Sequence, residues 1–561
     1  MARSEYDYVI VGGGAAGCVL ANRLSADPDV SVLVLEAGGP DHWWDLQVRL
    51  PIAVGRIIGK PHYDWNYESE PEAGLQSRRL VHPRGKLLGG SSSVNGMIYQ
   101  RGNRADFDVW GSGPGMGHWD WAHCAPYFDR LENCVGEPEG TGRGRCGPQS
   151  LERGPADGHL NDAFFAAAQQ AGHKVLPDIN DAEQEGFAPA DQAVRRGLRD
   201  SSSTAYLHPA RRRRNLDVRT HAQVSRVVFE GTRAVGVAYR LRRGGERVVR
   251  AREVILSGGA IGSPQALQLS GVGDPAHLQS IGVPVVHELP GVGRHLKDHL
   301  AVHLMYSSSR PVLTSPLRGK IHWPGIIGRA VLFGRGPGAR NPLQAVGFAS
   351  TGQPAVSPDI LFGIIPLIIE NADGPVRIAE HGYQVYLGVM HSKATGTVRI
   401  TSRDARQHPS ILMNFMSGPG DRQRWIDAVA VGRDLMNQPA FAALGARETQ
   451  PGPGVTTDEG VLDWVERTAR PGLHLACSAR MGTDEGAVVD PATLRVHGLD
   501  GIRVIDASIF PELTNGNTYA PVMMLAEKAA DIVLGNTPLA PVPAATAVAE
   551  QPVESFPEPS P

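Results

Sequence analysis

Cysteine is scarce in this chain, with five in 561 residues. Cys18, Cys124, Cys134, Cys146 and Cys477 contain no CxxC pair, which argues against a disulfide framework and against a zinc site. No metal is expected, and free thiols suit a reducing cytoplasm. An excess of one charge is lacking as well. With 55 Lys+Arg against 58 Asp+Glu, the net charge of -3 gives no reason to expect nucleic acid as a partner. The one basic run, RRRR at 211–214, reads as a solvated loop before a strand. Long apolar runs are missing too. The most apolar stretch, ILFGIIPLII at 360–369, is broken by Pro366 and is too short to span a bilayer. It is expected as a strand or wall, with contact to a membrane surface left open. The first residues, MARSEYDYVIVGGG, enter a strand at once, without the basic, apolar and cleavage regions of a leader. A cytoplasmic protein, in possible peripheral contact with a membrane, is the expectation.

What is present points to an ordered two-domain protein. The length exceeds what one hydrophobic core usually serves. YDYVIVGGG, AAGCVLANRLSA and SVLVLEAGG read as strand, helix and strand, a βαβ unit with parallel strands and a right-handed crossover. A helix is expected over 158–172, alternating strands over 215–241, and strand–turn–helix over 252–273. From about 300 to 460, strands such as YQVYLGVM mix with the helix DRQRWIDAVAVGRDLMNQ. GIRVIDASIF at 501–510 returns to the buried-strand style of the N-terminus. The nucleotide domain is therefore expected from separated segments: 1–157, 213–300 and 465–540. A second domain, 158–212 and 301–464, is inserted. The Pro-, Ala- and acid-rich 541–561 is expected to be disordered.

Gly12, Gly14 and Gly17 form a GxGxxG between the first strand and helix. Gly12 allows the tight turn, Gly14 the approach of a pyrophosphate, and Gly17 the packing of helix on strand. The helix N-terminus at Ala15 and Ala16 favours phosphate charge. Glu36, followed by Ala37, ends the second strand at the offset of an acid that binds ribose hydroxyls. That acid disfavours a 2′-phosphate; NAD and FAD both remain open on this motif.

RGKLLGGSSSVNGMIYQRGNRADFD (84–108) and GGAIGSPQALQLSGVG resemble the two signature motifs of the glucose–methanol–choline oxidoreductases, and the resemblance is closest to the choline-dehydrogenase-like branch. It covers the chain except its tail. It implies an α/β fold with a Rossmann-like FAD domain in discontinuous segments, and a second, α+β domain with an antiparallel sheet and helices. It also implies FAD rather than NAD. Arg84, Gly85, Leu88, Gly89, Gly90, Ser91, Val94, Asn95, Gly96 and Met97 would lie along the flavin and its diphosphate. There, small residues let backbone N–H groups reach phosphate or ring oxygens. Some family members carry a flavin-linking histidine just before this asparagine. Val94 stands there, so FAD is expected to be non-covalent. By the same resemblance, Val224 meets the adenine through backbone, Asp506 and Ala507 meet pyrophosphate and flavin, and Asn517 and Thr518 lie beside the flavin pyrimidine.

GLHLACSARMG (472–482) is similar to the family's segment around its catalytic histidine, which makes His474 the base that takes the hydroxyl proton. The second catalytic position is matched to Tyr519 in NGNTYAP. Either its hydroxyl holds the substrate opposite His474, or its ring only shapes the pocket. The expected activity is oxidation of a primary alcohol to an aldehyde. The apolar stretch 360–369, Trp and Met residues in the second domain and Tyr519 lean towards an aromatic or medium-chain substrate, and an aromatic cage and carboxylate for a quaternary ammonium find no place in the sequence. The electron acceptor is oxygen or a quinone or other redox carrier. Choline dehydrogenation proper and a non-redox, FAD-containing lyase of the hydroxynitrile-lyase type are the alternatives; a flavin-binding protein without activity is a third. Oligomeric state is not legible.

Overall fold

The computed structural model describes residues 3–136, 142–312, 322–370, 377–378 and 381–543. Two large sheets organise the chain. In the first, strands Leu216–Arg219, Val32–Leu35, Glu5–Val11 and the C-terminal half of Glu246–Leu256 run parallel. Ile502–Val504 extends this parallel set beyond Glu246–Leu256. The N-terminal half of Glu246–Leu256 instead continues into an antiparallel ribbon with Arg233–Leu241 and Ala222–Glu230. The parallel strands are nearly continuous Val, Ile and Leu because helices cover both faces. Helix α1 (Ala15–Leu24) follows the first strand. Helix α2 (Gly259–Leu269) follows Glu246–Leu256. The expected βαβ unit, strand ribbon and strand–turn–helix are all present.

The second sheet is antiparallel throughout, in the order Arg447–Gln450, Leu300–Ser307, Gly382–Val389, Ile360–Ile365, Ala345–Ala349 and Gly186–Pro189. Its far side carries helix Asp421–Met436. Helix α3 (Trp323–Phe333) lies outside both sheets, against the segment 46–56. Helix α4 (Tyr519–Leu534) returns to the first core and is buried from Tyr519 to Asp531.

The structure moves two boundaries. Ser203–Ala210, assigned from sequence to the inserted domain, packs on α1. There the Tyr206 carbonyl accepts from Asn22, and its hydroxyl donates to Glu527 of α4 at 2.6 Å. Arg470–Pro471, assigned to the nucleotide domain, pairs with Leu300–Ala301 in the second sheet. The run at 360–369 contributes a strand whose Ile360, Phe362 and Ile364 are core residues of that sheet. Most of the tail, 544–561, lies outside the described residues.

Candidate active site

An elongated cavity of about 400 Å³ runs from the ends of the parallel strands to the edge of the second sheet. Three helix N-termini open on it: Gly14–Ala16 of α1, Gly259–Gly262 of α2, and Thr518–Tyr519 of α4. None of the three has a capping side chain of its own; the leading N–H groups of α1 and α4 are free for an anion, while Gly259 N–H of α2 is taken by Asp506. Gly14, Gly259 and Gly262 would each place a Cβ in open space, with no heavy atom nearer than 4.0 Å. The floor is closely built. Gly90, at φ +53°, faces Gly14 so tightly that a Cβ on it would stand 2.8 Å from the Gly14 Cα. The carboxylate of Glu36 accepts from the N–H groups of Gly13 (2.8 Å) and Gly38 (2.7 Å), and its burial pushes its pKa up to about 7.

Buried cations complete the fit to an anionic dinucleotide. Arg84 lines the cavity and donates Nη1 to the Leu473 carbonyl at 2.8 Å, while its Nε and Nη2 are buried without partners. Arg199, which was not foreseen, sits behind the 92–95 turn at 1 % exposure. It donates to the carbonyls of Ser92 and Asn95 and to Asn95 Oδ1, at 3.2, 2.7 and 2.8 Å. Burial, with Arg49 beside it, lowers its pKa to about 9. Buried donors without partners are costly, so the Arg84 guanidinium suits an anionic group in the cavity, while Arg199 braces the 92–95 turn from behind.

Most of the expected cofactor residues meet around this cavity: Gly12, Gly14, Ala15 and Ala16; Glu36 and Ala37; Arg84, Gly85, Gly90 and Ser91; Val94 through Met97; Val224; Asp506 and Ala507; and Asn517 and Thr518. Three do not line it. Gly17 serves packing instead, since a Cβ there would stand 2.0 Å from the Gly12 carbonyl oxygen. Leu88 is wholly buried in the first core, and Gly89 turns the chain behind the cavity at φ +84°. Asp506 lines the wall, but its carboxylate is used by protein groups: it accepts from Gly259 N–H (2.8 Å), Ser263 Oγ (2.5 Å) and Ser508 N–H (2.8 Å).

His474 is held at the end of the cavity by strand pairing. Leu300–Ala301 pairs with Arg470–Pro471, and Gly472 N–H donates to the His299 carbonyl at 2.7 Å. The chain then turns through Leu473, whose φ of +67° is strained for a branched side chain. The buried carboxylate of Asp298 clamps this turn, accepting from the N–H groups of Leu473 (3.2 Å) and His474 (2.6 Å). As a result the His474 and His299 rings meet Nδ1 to Nδ1 at 2.9 Å. Burial first, then Arg84, lowers the His474 pKa to about 3; a contact from the Asn517 side chain partly opposes them.

That contact bears on the second catalytic position, which the resemblance matched to Tyr519. Tyr519 lies at the first turn of α4 and lines the cavity, and its hydroxyl donates to Gln149 Oε1 at 2.6 Å in a buried pair. The side chain at His474 is Asn517, whose Nδ2 donates to the Ile98 carbonyl at 3.1 Å. The helix begins at Tyr519, so residues two apart point in different directions. The choice between them needed that helix start, which NGNTYAP does not reveal.

An α/β nucleotide domain, helix N-termini that converge on one cavity and a buried histidine at its end define a dinucleotide-dependent oxidoreductase. Residues 6–301 and 392–526 match the two family models described as GMC oxidoreductase. The chain belongs to this family and its cofactor is FAD. It is 46% identical over 544 residues to the oxygen-dependent choline dehydrogenase of Staphylococcus saprophyticus, covering 96% of each chain. It is 47% identical over 542 residues to that of Staphylococcus aureus, covering 96% of this chain and 95% of the other. Among solved structures, it resembles pyridoxine 4-oxidase from Mesorbium loti (TM-score 0.85, 30% identity, 95% and 100% coverage).

Proposed function

We propose that the chain oxidises the primary alcohol of choline to the aldehyde, with oxygen as electron acceptor. The observation that carries the reaction type is the His474–His299 contact at 2.9 Å beside Asn517 in the cofactor cavity. The identity to oxygen-dependent choline dehydrogenases over nearly the whole of both chains supports choline. The lean towards an aromatic or medium-chain alcohol is withdrawn. It rested on 360–369, which fills the second core, and on Tyr519, whose hydroxyl is engaged by Gln149.

Bound FAD supplies a ring that accepts hydride. The protein's part begins with His474, neutral at physiological pH, which takes the hydroxyl proton at Nε2. That role requires the tautomer protonated at Nδ1, for which His299 Nδ1 is the acceptor. The Asn517 amide orients the same hydroxyl. The clamp of Asp298 on Leu473 and His474 holds the base in place without a mobile loop. Val94 offers no nucleophile, so the cofactor is bound non-covalently. Among the described residues no helix is long and apolar enough to cross a membrane. Anaerobic mixing with choline tests the reading. Bleaching of the flavin absorbance by choline, and not by benzyl alcohol, is the expected result. No bleaching by choline, or bleaching by the aryl alcohol alone, overturns it.

A further inference from the structure

Helix α3, WPGIIGRAVLF, has one apolar side too many. Ile327 and Ala330 pack with Leu46, Leu50, Ile52 and Ala53, and Ile326 is buried beside Gly338, which is the ordinary buried stripe. Its last turn then exposes three consecutive apolar residues: Val331 at 41%, Leu332 at 74% and Phe333 at 70%. Such a run is unusual on a surface that faces only water.

The segment that carries it has charge of one sign. No Asp or Glu occurs between Asp298 and Asp359. Arg329 and Arg335 flank the exposed turn, both exposed, and the Arg56 guanidinium lies over the Trp323 ring at 4.9 Å. Gly334 ends the helix at φ +62°, close against the exposed Arg196. Glu152, beside Arg196, is engaged by Arg340 (3.7 Å) and by the Arg196 N–H (2.6 Å).

We propose that the C-terminal turn of α3 is a docking surface for an anionic lipid membrane. Leu332 and Phe333 enter the headgroup–acyl boundary, and Arg329, Arg335 and Arg56 meet the lipid phosphates. An apolar tip ringed by arginines is the pattern of a protein that lies on an interface without crossing it. A second copy of the chain fits less well. A two-fold contact through this turn would bring the same arginines towards each other. The surface lies outside the cofactor cavity, so this proposal stands apart from the identity of the substrate.

Flotation of the FAD-loaded, full-length protein with vesicles tests it. Phosphatidylcholine mixed with phosphatidylglycerol is compared with phosphatidylcholine alone, at low and high salt. The expected result is binding to the anionic vesicles that weakens as salt rises. Leu332→Asp/Phe333→Asp and, separately, Arg329→Glu/Arg335→Glu should each lower the bound fraction by roughly tenfold while leaving flavin content and turnover unchanged. Three results overturn the proposal. One is wild-type protein that does not float with anionic vesicles. Another is either double variant binding as the wild type does. The third is a dimer in solution that separates in Leu332→Asp/Phe333→Asp, which would assign the turn to a second copy.

Discussion

At the scale of single residues, the site turns on which side chain of NGNTYAP faces His474. Asn517 does so, and its replacement removes an amide from the reacting hydroxyl. Asn517→Ala should slow flavin reduction by about 10²-fold at saturating alcohol. Tyr519→Phe should leave that rate within about twofold. Its cost falls on the fold instead, because Gln149 Oε1 loses a buried donor, worth about 1–3 kcal/mol in a denaturant titration. If stopped-flow reduction is slowed more by Tyr519→Phe than by Asn517→Ala, these roles are reversed. The protonation state of His474 gives a second expectation. Burial and Arg84 lower its pKa to about 3, so the ring is already neutral well below pH 6.5. As pH falls from 8, kcat/KM should hold level through about pH 6, the range in which an unperturbed histidine would take a proton. An acid limb centred near 6.5 that disappears in His474→Asn would overturn this. The same depressed pKa acts on stability. The unfolded chain gains a proton here below its ordinary value near 6.5, the folded chain only near 3. His474 therefore withdraws stability as pH falls between those values.

The turns between elements show how much was readable beforehand. The GxGxxG, its acid at Glu36 and the glycine–serine signature announce themselves in sequence because glycine at a positive φ or a close approach is a local requirement. Gly90 illustrates this. Gly90→Ala adds about 1–2 kcal/mol for the left-handed backbone and pushes a methyl against Gly14. It should lower FAD retained after gel filtration by tenfold or more. Gly59→Ala is the control: its φ is +79°, but no atom lies within 4 Å of the added Cβ, so it should bear the backbone cost and keep its FAD. Equal FAD loss in both variants would mean that backbone strain, and not the Gly14 contact, sets affinity. What the sequence did not show depends on partners far along the chain. Arg199 gives no local sign that it will brace the 92–95 turn, more than a hundred positions away in sequence. His299 is one of 20 histidines until strand 300–307 pairs with 470–471 and brings it to His474. The boundary near 203–210 was misplaced for the same reason, since only packing on α1 shows to which body that turn belongs.

On the scale of the whole molecule, the cavity is the seam between the two sheets. One wall comes from the first sheet through Gly12–Ala16, Glu36 and Gly258–Gly262, and the other from Gly472–Leu475, which hang from the edge of the second. A ligand filling that cavity joins segments from residue 12 to residue 519. Because it binds only the folded chain, FAD at a hundred times its dissociation constant should add about 2.7 kcal/mol to unfolding. Val94 provides no covalent link, so acid precipitation should leave the yellow flavin in the supernatant, and milder acid at high salt should yield refoldable apoprotein. Comparing the two forms by amide hydrogen exchange then tests the seam. Loss of FAD should raise exchange in 84–97, as any cofactor loop would show, and also in 298–301 and 472–475 at the edge of the second sheet. That second effect follows from the clamp. Asp298 holds the strained Leu473 turn, and Arg84 holds the Leu473 carbonyl while presenting its other nitrogens to the cavity. With the cofactor absent, the buried guanidinium loses its anion, and the turn that positions His474 loses part of its support. If exchange at 298–301 and 472–475 is the same with and without FAD, the catalytic histidine is held by the second sheet alone, and cofactor loading plays no part in its placement.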